Sequence, residues 1–215
     1  MRVGFIGLGN VGGKLSGNLL RNGAELTVHD LHADLVAGFV DRRATAGDSP
    51  VQAMRSSEGV ITCLPSPAAS AAVVEEMLPE MGPGKTWIEM STTDEAEVRR
   101  LAALVAVSGG CHRADAANIS IFAGCSRPVF ERILPLLKLM GLRVLHTGDL
   151  GSASILKVMT IHLATANLLT LCEALMTMKA AGLDLATTYE AMKSRSAHLL
   201  CMRPKANLLC RDLGM

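Results

Sequence analysis

The sequence predicts a doubly wound, mostly parallel α/β sheet followed by an all-helical region, on three observations. Short β-type runs alternate with helical patterns through the first two-thirds of the chain, which is the pattern of βαβ units. From Gly151 onward only helical patterning continues. Among 215 residues, 49% are hydrophobic and 19% charged, so the chain can bury a core and is not disordered. Its 20 glycines and 3% aromatic content favour packed α/β layers over a β-sandwich. A domain boundary is therefore expected near residue 150, dividing 1–150 from 151–215.

The elements follow in order. Val3–Ile6 reads as a buried strand, and 10–22 as a helix with Val11, Leu15 and Leu19 four residues apart. Gly23 closes that helix. Leu26–His29 is the next strand, and Ala33–Asp41 the next helix. Gly59–Leu64 is a strand stopped by Pro65 and Pro67, followed by a helix over Ala68–Leu78 and the turn at Gly82–Gly84. Thr86–Met90 reads as a strand, and Thr93 to about Val107 as a helix with acids in its first turns. Later strands are expected at Asn118–Ala123 and Leu142–His146, around a helix over Pro128–Met140. Ser152–Ala181 reads as one long helix ended by Gly182, and Asp184 caps a shorter one to about Ser194.

Gly7-Leu8-Gly9-Asn10-Val11-Gly12 is a GxGxxG string between a strand and a helix. Gly7 permits the tight turn, Gly9 lets backbone approach a pyrophosphate, and Gly12 allows close helix–strand packing. The helix start adds free N–H groups and a positive dipole end. Asp30, at the end of the second strand, is placed to accept hydrogen bonds from an adenosine ribose. Its charge would repel a 2′-phosphate and no arginine follows it, so NAD is expected in preference to NADP.

Other function classes recede. A formal net charge of +1 without a basic block argues against a nucleic-acid partner. Cys63, Cys111, Cys125, Cys172, Cys201 and Cys210 are scattered without a CxxC pair and read as buried thiols of a reducing compartment. The glycine-crowded start does not resemble a secretory leader. The apolar stretch 155–181 is interrupted by Lys157, His162, Asn167, Glu173 and Lys179, so no membrane span is expected and the location is read as cytoplasmic. Neither metal-ligand spacing nor a Ser-His-Asp context occurs.

Taken together, VGFIGLGNVG, CLPSP, EMSTTDEAEV, SGG followed by ISIFAG, and GSASILKVM resemble the β-hydroxyacid dehydrogenases, nearest their 3-hydroxyisobutyrate dehydrogenase branch, over residues 1–194. The resemblance implies reversible oxidation of a small 3-hydroxy acid to an aldehyde or keto acid with NAD or NADP. It implies that the cofactor loop is Gly7–Gly12, that Leu64 and Pro65 lie beside the dinucleotide, and that Ser91 and Thr92 lie near the nicotinamide. It further implies a substrate-carboxylate loop at Ser108, Gly109 and Gly110, and a catalytic lysine at Lys157.

Physical chemistry is consistent with these roles. Hydride leaves an alcohol carbon as the hydroxyl proton departs, so a base must face the hydroxyl, and a lysine in an apolar site has a lowered pKa. Ala153, Ser154 and Thr160 on the face of Lys157 are small enough to leave room for a ligand. The backbone N–H groups of Ser108–Gly110 could cradle a carboxylate.

Two departures from the family pattern favour a rival reading, a non-catalytic NAD-binding relative. Leu101–Ala106 runs almost straight into Val107–Gly110, so about ten residues, a whole strand, are expected to be missing. The asparagine normally four residues after the lysine is Ile161 here. The short helical part is expected to need a second copy of the chain, which makes a homo-oligomer the expected assembly.

Overall fold

The computed structural model describes residues 2–91, 104–108 and 119–195. It divides into two compact units, 1–157 and 158–215. The division falls within the long helix, seven residues beyond position 150.

The first unit holds β1 (Arg2–Ile6), α1 (Gly12–Arg21), β2 (Glu25–His29), α2 (Ala33–Val40), β3 (Thr45–Ala46), α3 (Pro50–Arg55), β4 (Gly59–Thr62), α4 (Pro67–Met77), β5 (Thr86–Glu89), β6 (Leu104–Ser108), β7 (Ser120–Gly124), α5 (Arg127–Met140) and β8 (Arg143–Gly148). The strands form one sheet in the order β3-β2-β1-β4-β5-β6-β7-β8. Strands β1 to β6 are mutually parallel, β7 runs antiparallel to β6, and β8 is parallel to β7.

Both faces are covered, as near-continuous apolar strands require. Val3 and Phe5 point to one side, where Leu15 and Leu19 of α1 and Ile133, Leu136 and Leu137 of α5 pack. Ile6, Val60 and Trp87 point to the other, with Ala53 and Met54 of α3 and Val74 and Met77 of α4. Chain ends of these elements are set by local chemistry. Ser49 and Ser66 accept hydrogen bonds from Gln52 and Ala69 at the starts of α3 and α4, each followed by a proline in the first turn.

Two elements depart from the sequence expectation. β3 and α3 were not anticipated, because a two-residue strand and a six-residue helix are too short to show a period. More consequentially, Leu104–Ser108 is a strand, where a helix to about Val107 was expected. The remainder of that expected helix lies outside the described residues. The strand thought missing is therefore present.

Its register is unusual. A single row of paired residues crosses the sheet: His29, Ile6, Thr62, Glu89, Leu104, Gly124 and Gly148. Leu104, the first residue of β6, pairs with Glu89, the last of β5. β6 is thus slid along its axis by its full length. Twelve residues separate Ser91 from Leu104. A parallel crossover of a dozen or more residues, usually a helix, is what returns a chain to the opposite end of a sheet. Here β6 begins where β5 ends.

The helix α6 (Ser152–Ala180) starts in the first unit and continues into the second, followed by α7 (Leu185–Arg195). Gly182 has φ +82° between them, the left-handed conformation that ends a helix. Asp184 accepts a hydrogen bond from the Thr187 N–H at 2.7 Å, which lowers the carboxyl pKa. Leu171, Leu175, Leu185 and Tyr189 form a small buried cluster joining α6 to α7. By length and composition alone α6 is long and apolar enough to cross a bilayer, an 18-residue window of it having mean hydropathy 1.5.

Candidate functional site

In an open parallel sheet, ligands bind outside the carboxyl ends of the strands, where successive connections depart to opposite sides. Here that point lies between β1 and β4, since β2 and β3 extend one side of β1 and β4 begins the other. The glycine string sits on it.

Gly7 follows β1 with φ +94°, and a Cβ there would lie 2.3 Å from the Cys63 carbonyl oxygen. A Cβ on Gly12 would lie 1.9 Å from the Gly7 carbonyl oxygen. Only hydrogen fits at either position, so loop and helix close down on each other. Gly9 has nothing within 4 Å of its Cβ position. Gly9 and Asn10 are exposed, Val11 is half-buried, and Leu8 turns into the core. A tight loop with one open glycine at a helix start is the arrangement a pyrophosphate needs.

Asp30 leaves the end of β2 beside this loop. Its Oδ2 accepts the Leu8 N–H at 2.6 Å, and its Oδ1 accepts the His32 N–H at 2.9 Å. The carboxylate is thus a clamp on the loop as well as a candidate for ribose. Leu31 next to it is 95% exposed. His29 is anchored away from the site, its Nδ1 lying 2.8 Å from the Gly47 carbonyl oxygen.

Past β4 and β5 the exit loops are tied together. The Leu64 N–H donates to Ser91 Oγ at 2.7 Å, and the Ser91 N–H donates to Glu89 Oε1 at 2.8 Å. Ser91 is buried, Leu64 half-buried and Pro65 exposed. Sequence reading missed Glu89, although an acid in the apolar run Thr86–Met90 was a visible signal.

The register row connects this edge to α6. Gly148, in the same row as Ile6, Thr62 and Glu89, ends β8 four residues before α6 begins. Lys157 lies in the second turn of that helix, half-buried, and burial pushes its pKa below the ordinary lysine value. Ala153 and Ser154 beside it are buried, and Thr160 is half-buried. Ile161 is exposed.

Ser108 ends β6 four residues beyond the row, roughly 13 Å at the usual strand rise. Thr92, Gly109 and Gly110 lie outside the described residues. The structure thus brings together Gly7–Gly12, Asp30, Leu64, Pro65 and Ser91, starts the Lys157 helix near the same level, and sets Ser108 apart from it. Among the described residues no group of three metal-ligating side chains occurs. Of the described cysteines, Cys125 is buried as expected, while Cys63 and Cys172 are half-buried.

A two-sided parallel sheet carrying this loop and this acid defines an NAD(P)-binding domain. Residues 2–148 match the family described as the NAD binding domain of 6-phosphogluconate dehydrogenase. The chain is 31% identical to 3-hydroxyisobutyrate dehydrogenase of Pseudomonas aeruginosa, across 90% of this chain and 70% of that protein. It is 29% identical to 2-(hydroxymethyl)glutarate dehydrogenase of Eubacterium barkeri, across 95% of this chain and 72% of that protein. Its fold superposes on 3-hydroxyisobutyrate dehydrogenase of Mycobacterium tuberculosis, solved with L-serine, with a TM-score of 0.84 at 22% identity, covering 91% of this chain and 72% of that one. The chain belongs to the β-hydroxyacid dehydrogenase family, whose members named here are oxidoreductases acting on small hydroxy acids.

Proposed function

We propose that the chain is an NAD-dependent dehydrogenase of a small 3-hydroxy acid of the 3-hydroxyisobutyrate type. The observation carrying this reading is the register row, which puts the glycine loop, Asp30, Leu64 and Ser91 on one sheet edge and starts the Lys157 helix near that level. The residues fit a dinucleotide. The loop is closed by glycines where any Cβ would collide and open at Gly9, where backbone must approach phosphate. Asp30 supplies acceptors for ribose hydroxyls and a negative charge against a 2′-phosphate, which supports NAD over NADP.

When bound, the nicotinamide accepts a hydride. The chain's own task is to hold the alcohol and move its proton. Lys157, with its pKa lowered by burial, takes the hydroxyl proton at Nζ in the oxidative direction and returns it in the reductive one. The backbone N–H groups following β6, at Ser108–Gly110, hold the substrate carboxylate.

A second reading rests on β6. Its slide carries Ser108 roughly 13 Å past the row, so a carboxylate held there would sit away from a substrate at the cofactor edge. On that reading the chain binds dinucleotide without turning over a hydroxy acid. Titration with NADH and NADPH, followed by assays of a 3-hydroxy acid panel in both directions, separates the readings. NADH binding with turnover supports the dehydrogenase, and NADH binding without turnover supports the second reading. Failure to bind either nucleotide overturns both, and NADPH binding as tightly as NADH overturns the role of Asp30.

We read the apolar α6 as covered by a second copy and not by lipid, in a cytoplasmic homo-oligomer. Lys157, Glu173 and Lys179 on it favour a protein surface. Light scattering at micromolar concentration checks this, and a monomeric mass refutes it.

A further inference from the structure

Glu89 is the buried acid that the mechanism above does not use. It is 1% exposed at the end of a fully buried strand, in the middle of the sheet. A carboxyl group in that position is costly unless it is hydrogen-bonded. One oxygen is engaged and the other, Oε2, is buried with no hydrogen-bond partner. A buried carboxyl with one oxygen unpartnered calls for a reason, and removing it would leave the Ser91 N–H without its acceptor.

The reason lies in what the engaged oxygen holds. Glu89 Oε1 accepts the Ser91 N–H, and Ser91 Oγ accepts the Leu64 N–H. Two hydrogen bonds thus run from the end of β5 across to the loop leaving β4. They join the two exit loops that flank the β4–β5 part of the edge, on the side away from Asp30. Asp30 performs the matching task for the phosphate loop, through Leu8. The edge therefore has two acid clamps, one on each side of the β1–β4 switch point.

We propose that Glu89 is a positioning residue for the nicotinamide half of the dinucleotide site, setting Ser91 directly and Leu64 through Ser91. The assignment to that half rests on the NAD reading above; the clamp itself does not.

The test compares Glu89→Leu, which keeps size but removes the acceptor, with Glu89→Gln, which keeps an acceptor for the Ser91 N–H. Ser91→Ala cuts the second link while leaving Glu89 in place. Each full-length variant is titrated with NADH and with ADP-ribose, which lacks the nicotinamide. Amide hydrogen exchange at Leu64 and Ser91 is measured without ligand. Glu89→Leu and Ser91→Ala should weaken NADH by about tenfold or more, the scale of one lost hydrogen bond with its partner left buried. ADP-ribose affinity should stay within about threefold, Glu89→Gln should restore NADH to a similar range, and Leu64 exchange should quicken in both clamp-breaking variants.

Equal losses of NADH and ADP-ribose would overturn the proposal, as would a Glu89→Gln variant as impaired as Glu89→Leu. Should Glu89→Leu fail to fold, Ser91→Ala and Glu89→Gln still decide it. If the unaltered chain binds neither ligand, the dinucleotide reading falls, and unchanged exchange at Leu64 in Ser91→Ala would then overturn the clamp as well.

Discussion

In the sheet unit Val3, Phe5, Leu15, Leu19 and Ile61 are completely buried, whereas along α6 Ile155, Val158, Met159, Leu163 and Leu169 are 44–61% exposed. Both regions are built from similar residues. The sheet closes its apolar surface with helices on each face and so carries its own core. The helix spreads its apolar residues around its circumference, and among the described residues α7 covers one stretch of it through Leu171 and Leu175. Stability of the cofactor domain and coverage of the long helix are therefore separable properties.

The largest effect belongs to the sheet core. Leu15→Ala should cost about 2–5 kcal/mol in urea unfolding, because a completely buried leucine leaves a cavity. A loss below about 1 kcal/mol would mean that the sheet does not carry its own core.

Next comes Lys157→Ala, at the foot of the helix. Turnover should fall by about 10² or more while NADH affinity holds, the scale of a general acid–base contribution. If the neutral Lys157 amine is the base, as proposed, oxidation by the unaltered chain should rise with pH along a limb below the ordinary lysine range, since burial lowers the Lys157 pKa. A limb at the ordinary lysine position, or unchanged turnover in the variant, would remove Lys157 from the chemistry.

Asp30→Ala should weaken NADH by about tenfold to a hundredfold, the range for a hydrogen bond to a charged group. NADPH should not gain in compensation, because the same carboxylate holds Leu8 of the phosphate loop. A variant that switched to tight NADPH binding would show that the clamp on Leu8 is dispensable.

The smallest effect is expected on the helix. Leu163→Ser with Leu169→Ser, at 59% and 61% exposure, should change monomer stability by about 0.5 kcal/mol or less per site. The same pair should shift the light-scattering mass from oligomer to monomer. If the mass were unchanged, the exposed face of α6 would not be the covered one.

Much of the sheet was legible because its signals are local. Val3–Ile6, Gly59–Leu64 and Thr86–Met90 are apolar runs bounded by turn residues, and the observed β1, β4 and β5 match them to within two residues at either end. Gly23 and Gly182 mark the helix ends they were expected to mark, with φ +81° and +82°. α3 was missed although Ser49, Pro50 and Gln52 form a start signal, because six residues show no period. Leu104–Ser108 was drawn into a helix because the apolar run before it continues without a break, while its strand pairing comes from β7, a distant segment. The site was legible as residue types at its glycine loop and at Asp30. Glu89 stands out in sequence as an acid within an apolar run, but its link to Ser91 and Leu64 comes only from the fold.

By itself the sequence determined the alternation of strands and helices, the glycine turn and the acid beside it, since periodicity, φ and Cβ size act within a few residues. Tertiary structure decided that β6 starts at the level where β5 ends, that Asp30 grips Leu8, and that Glu89 reaches Leu64 through Ser91. Those outcomes depend on how strands far apart in the chain align across the sheet, and a one-dimensional pattern carries no measure of that alignment.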